Sequence, residues 1–101
     1  MLQYINRFKK EFPRIAMKLV AGNSADLISK LLAFAIDVAV TAEQPQNDSI
    51  GCFKLREDRL VAVAPKQAAL LKGPRVSLSA LTAAPLVLRE EGSTTRRLLL
   101  E

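Results

Sequence analysis

The residues best equipped for chemistry sit in one run, Arg89-Glu90-Glu91-Gly92-Ser93-Thr94-Thr95-Arg96. Gly92 turns the chain and delivers it to a helix start. The first N–H groups of a helix have no partner inside it, and the dipole adds partial positive charge there, so an anion fits. The hydroxyls of Ser93, Thr94 and Thr95 add donors. Arg96 offers a planar fork for carboxylate, sulfate or phosphonate oxygens. The plainer alternative is that Ser93 or Thr94 caps the helix while Arg96 is solvated. Glu90 and Glu91 are either solvated or paired with Arg96 or Arg97.

Asn23 and Ser24 mark a second helix start after Gly22, with the same two readings, anion contact or capping. Thr41, which follows an apolar run, is a further candidate. Asp37 lies inside that run without a partner for acid–base work and is expected to serve structural hydrogen bonding. Cys52 is expected to be a small buried apolar residue. No catalytic residue is assigned. The chain has no histidine and one cysteine, which removes the usual zinc and iron–sulfur ligands, the commonest general base and any internal disulfide. No metal and no cofactor is expected.

These residues need a scaffold, and 101 residues allow one domain or parts of two. Half of them are hydrophobic and a quarter charged, as in globular proteins. A chain of this size is expected to bury about 60–70% of its unfolded surface. Mean hydropathy is +0.14, and the longest apolar runs fall far short of the roughly 18 residues of a membrane span. The amino terminus lacks a signal-peptide pattern, so a cytoplasmic location is expected, with no membrane partner. The net charge is +5, most of it from Arg7, Lys9, Lys10, Arg14 and Lys18. Without interleaved aromatics this cluster is read as a solvated helix face rather than a nucleic-acid surface.

Leu2, Ile5, Phe8 and Phe12 share one helical face, closed by Pro13, and Tyr4, Phe8 and Phe12 are expected in the core. Ile15 to Val20 reads as a strand. Leu27, Ile28, Leu31, Leu32 and Ala35 form the stripe of a second helix, followed by a strand from Ile36 to Val40. Gly51 to Leu55 reads as extended, Leu60 to Ala64 and Leu86 to Leu88 as further strands, and residues 66 to 76 as irregular. Ser77 caps a short helix carrying Leu78 and Leu81, and another helix begins at Thr94. This alternation predicts an α/β fold with mainly parallel strands. Ligands in such folds bind beyond the carboxyl ends of strands, which selects Gly22 to Ser24, Thr41 to Glu43 and Glu90 to Thr95.

The stretch "RFKKEFPRIAMKLVAGNSADLISKLLAFAIDVAV", with "LREDRLVAVAP", "VSLSALTAAPLVL" and "REEGSTTRRLLLE" after it in order, resembles the effector-binding regulatory domain of LysR-type transcriptional regulators. The resemblance implies a periplasmic-binding-protein-like (type 2) fold, incomplete, with two lobes flanking an effector cleft. It implies that residues 1–56 form the first regulatory lobe, lacking its first strand. Residues 57–101 would begin the second. It places the loop at Ser93 at the cleft, and implies a homodimer with the helix from Leu2 to Phe12 at its interface. DNA would be bound only through a winged helix-turn-helix outside this chain. The segment "EEGSTTRR" resembles that of regulators of phosphonate or sulfur use. The family's glycine before the second strand is Ala35 here, so the turn there is expected to differ. The effector expected is a small anion of sulfate, phosphonate or carboxylate type. The rival readings are a transport solute-binding protein fragment and a dimerisation fragment without a ligand.

Overall fold

The computed structural model describes residues 2–101, apart from the side chain of Leu71. Four helices follow one another: α1 (Leu2–Glu11), α2 (Ser24–Leu32), α3 (Leu78–Thr82) and α4 (Thr94–Leu100). A 3-10 turn at Ala69–Leu71 lies in the segment expected to be irregular.

Local signals account for these elements. α1 ends before Pro13, and Lys9 and Lys10 in its last turn complement the helix dipole. Asn23 caps α2, its Oδ1 accepting from the Asp26 N–H at 3.0 Å. Asp26 in the first turn also accepts from Lys30 Nζ at 2.7 Å, one turn on. Ser77 caps α3 by accepting from the Ala80 N–H at 3.1 Å. Ser93 occupies the N-cap position of α4, but its side chain makes no capping bond.

The end of α2 departs from the family pattern, as the Ala35 substitution led us to expect. The left-handed residue is Phe34, at φ 55°, rather than Ala35. The Phe34 N–H donates to Leu31 O at 3.1 Å and the Ala35 N–H to Lys30 O at 2.9 Å, closing the last carbonyls of the helix. A β-carbon in this conformation costs roughly 1–2 kcal/mol. The ring of Phe34 is 94% exposed, so packing does not offset that cost.

The four segments expected as strands, and the extended stretch from Gly51 to Leu55, carry no ladder: no strand forms among the described residues. A parallel strand exists only through a neighbour in register, and none of these segments has one. The core is correspondingly absent. No hydrophobic residue is fully buried among those described. Phe8 is half-buried and its ring lies 5.0 Å from that of Phe12, whereas Tyr4 and Phe12 are exposed. On α2, Leu27, Ile28 and Leu31 are half-buried, while Leu32 and Ala35 are exposed. Leu81 on α3 is half-buried and Leu78 exposed. Asp37 is exposed, as is Cys52, whose thiol approaches only the Ile50 carbonyl at 3.8 Å. Cys52 is therefore not the buried apolar residue expected.

The molecule is extended, with a radius of gyration of 18.1 Å against about 13 Å for a compact chain of this length. Its accessible surface is 9445 Å², where a compact fold of this mass exposes roughly 5,700 Å². About 40% of the unfolded surface is covered, below the expected range, because the apolar runs lack lateral partners.

Candidate functional site

The two buried residues, among those described, are polar: Ser93 and Thr94. They lie where the start of α4 meets the start of α2. Thr94 Oγ1 donates to Ser24 Oγ at 2.9 Å. Asn23 Nδ2 donates to the Glu91 carbonyl at 3.1 Å, and the Ala25 N–H donates to the Gly92 carbonyl at 3.2 Å. Glu43 pairs with Arg97 beside them. Among the described residues, every hydrogen bond between positions far apart in sequence falls at this junction.

Gly92 makes the approach possible. Its φ is +83°, and a β-carbon there would lie 2.9 Å from Asn23 Oδ1 and 3.0 Å from Ala25 Cβ. A left-handed turn and a close backbone passage thus both require glycine at one residue.

The three loops selected from the sequence therefore meet. Asn23, Ser24, Ser93 and Thr94 are brought together directly. Thr95 and Arg96 are half-buried on the first turn of α4. The N–H groups of Thr94, Thr95 and Arg96 have no backbone partner among the described residues. Thr41 is not brought into the cluster. Its hydroxyl donates to the Glu43 carbonyl at 2.8 Å, inside its own loop.

The charges are largely spoken for. Arg89 grips Glu90 through two bonds, Nε to Oε2 at 2.9 Å and Nη2 to Oε1 at 2.8 Å. This grip pulls the Glu90 carboxyl down to about 2 and raises the Arg89 pKa. The hydrogen bonds that Arg97 donates to Glu101 and then to Glu43 raise its pKa. Arg96 differs, because its Nη1 donates to the Arg89 carbonyl at 3.0 Å and it pairs with no carboxylate among the described residues. Its remaining N–H donors have no carboxylate partner among the described residues.

Arg97 is the residue that sequence reasoning underrated. It lies three positions after Thr94, on the helix face turned toward α2. With Ala25, Ile28 and Glu43 it lines an open depression of about 580 Å³, which the polar loop from Glu43 to Asn47 also lines. The i,i+3 spacing from Thr94, at the start of the same helix, was the available signal.

The site thus joins two helix starts through a polar seam, in a chain whose sequence order matches effector-binding regulatory domains. The chain belongs to the LysR substrate binding domain family, whose model matches residues 1–101. It is similar to the Escherichia coli K12 protein described as the uncharacterized HTH-type transcriptional regulator YeiE, 35% identical over 95 residues, 94% of this chain and 32% of that protein. It is also similar to the HTH-type transcriptional activator CmpR of Synechocystis, 32% identical over 92 residues, 91% of this chain and 30% of that protein. The HTH-type transcriptional regulator CbbR of Sinorhizobium medicae is 29% identical over 94 residues, 93% of this chain and 30% of that protein. The chain spans about a third of the length of these curated relatives. No solved structure matches it. No helix among the described residues is long and apolar enough to cross a membrane.

Proposed function

We propose that this chain is an effector-sensing part of a LysR-type transcription regulator, and that the effector is a small anion of sulfate, phosphonate or carboxylate type. Residues 1–56 belong to the first lobe of a two-lobed α/β binding domain and residues 57–101 begin the second. The anion takes the N–H groups of Thr94 and Thr95, which have no backbone partner among the described residues, and the Thr95 hydroxyl, with Arg96 as its cation and Ser93, Asn23 and Ser24 completing the pocket. Thr41 borders the site from its own loop. The regulator acts in the cytoplasm as a homodimer, and a winged helix-turn-helix outside this chain meets DNA. It performs no catalysis.

The observation that carries this reading is the direct bond between Ser24 and Thr94, which joins residues 70 positions apart across the proposed lobe boundary. A ligand seated there bridges both lobes and sets their relative position. That is the differential contact through which an effector shifts an equilibrium between states. The relatives, all named as transcriptional regulators, favour this reading over a transport protein.

Amide NMR on the chain with sulfate, phosphate and methylphosphonate tests it. One anion is expected to move the Asn23, Ser24 and Ser93–Arg96 signals saturably, and Arg96→Gln is expected to weaken it at least tenfold. Absence of a saturable response to all three, or an unchanged response in Arg96→Gln, overturns the anion reading.

A further inference from the structure

The depression between α2, the loop after Thr41 and α4 has a lining unlike that of the anion site. Ala25, Ile28 and Pro45 supply apolar surface, and Glu43 and Arg97 supply opposite charges. None of Asn23, Ser24, Thr41 or Ser93–Arg96 lines it. We propose that this depression binds an α-amino acid through its zwitterionic head. The carboxylate takes Arg97 Nη2, the ammonium takes the Glu43 carboxylate, and a small aliphatic side chain lies against Ala25, Ile28 and Pro45.

The charges decide the ligand class. A simple anion at Arg97 meets the like charge of Glu43, and a simple cation at Glu43 meets Arg97. Only a ligand carrying both charges a few ångströms apart complements both. Glu43 and Arg97 are paired with each other, which leaves each with its own counter-charge until such a ligand arrives. Their side chains are 32% and 48% exposed, respectively. A pair this exposed contributes little stability, so opening it is a weak barrier. Arg97 keeps its charge balanced during the exchange, because its Nη1 is held separately by Glu101. The amides of Gln44 and Asn47 in the same lining both donate and accept, which suits either half of the head group. This inference does not depend on the anion site, because it uses different side chains and a different ligand charge.

The test is an amide NMR titration of the 101-residue chain with L-alanine, N-acetyl-L-alanine and L-alaninamide. The two analogues share the side chain, and each lacks one charge. L-alanine is expected to shift the Glu43–Asn47 and Arg97 signals saturably, with each analogue at least tenfold weaker. Glu43→Gln and Arg97→Gln are each expected to weaken L-alanine at least tenfold. The proposal is overturned by no saturable shift, by equal binding of either analogue, or by unchanged affinity in both variants. Shifts confined to Asn23, Ser24 and Ser93–Arg96 also overturn it, since they place the amino acid at the anion site. The three ligands are compared on the unaltered chain, so the test stands even if a variant fails to fold. A null result with sulfate, phosphate and methylphosphonate sinks the anion reading and leaves this one standing.

Discussion

The junction between α2 and α4 and the apolar runs at Ile36 to Val40 and Leu60 to Ala64 have opposite fates in one chain. The junction is polar and tightly bonded, and it holds the two buried residues found among those described. The runs are apolar, yet Val38 is 81% exposed and Val63 is 91% exposed. Hydrogen bonding at a cap or a turn is completed by residues a few positions away and one well-placed loop. A β-strand is completed only by another strand. Polar local signals therefore close in this chain, while the hydrophobic ones, which drive most folding free energy, remain open.

The sharpest way to break the comparison is Gly92→Ala. The added methyl meets Asn23 and Ala25 and must also adopt a left-handed φ. A loss of about 2 kcal/mol at the junction is expected, read as lost hydrogen-exchange protection of the Ala25 and Asp26 amides. Retained protection would mean that the seam does not depend on close backbone passage. A double-mutant cycle with Ser24→Ala and Thr94→Val comes next, with a coupling energy of about 1 kcal/mol. Val63→Lys on the apolar side is expected to stay within about 0.5 kcal/mol of zero. A large effect there would show that the apolar runs are already engaged.

Phe34→Gly should raise the melting temperature, reflecting about 1 kcal/mol of relieved backbone strain. An unchanged or lower value would show that the exposed ring contributes packing. A pH-limited effect concerns Glu90. Arg89 holds the Glu90 carboxyl at about 2, below the ordinary carboxylate value of 4.5. The stabilisation from Arg89 is thus fully present above about pH 4.5 and fades as pH falls toward 2. Glu90→Gln should flatten the acid limb of the stability profile in that window alone.

Much of the helical framework was legible because its signals are short-range. Asn23 and Ser77 cap where their side chains reach the N–H three residues on, and α4 begins at Thr94. The candidate loops could be selected from strand order, and the hydroxyls of Ser24 and Thr94 do meet. The rest depended on neighbours that no local pattern names. Periodicity marks Leu60 to Ala64 as a run that wants burial, but not whether another segment lies beside it. Cys52 was expected inside by residue type, yet burial is a property of surroundings. Arg96 and Arg97 are indistinguishable in type. Only the rotation of α4 against α2 sends one to a carbonyl and the other to Glu43. At the end of α2, the chain reached its left-handed turn one residue before the position read from the family pattern.

The bond from the Ala25 N–H to the Gly92 carbonyl runs from main chain to main chain. It asks nothing of the side chain at position 25 beyond that it not be proline. The seam can therefore persist while the amide of Asn23 and the hydroxyls of Ser24 and Thr94 are exchanged for other groups. Under the proposed reading, recognition at this junction is separable from joining. New specificities could then be sampled one substitution at a time, without first rebuilding the main-chain connection.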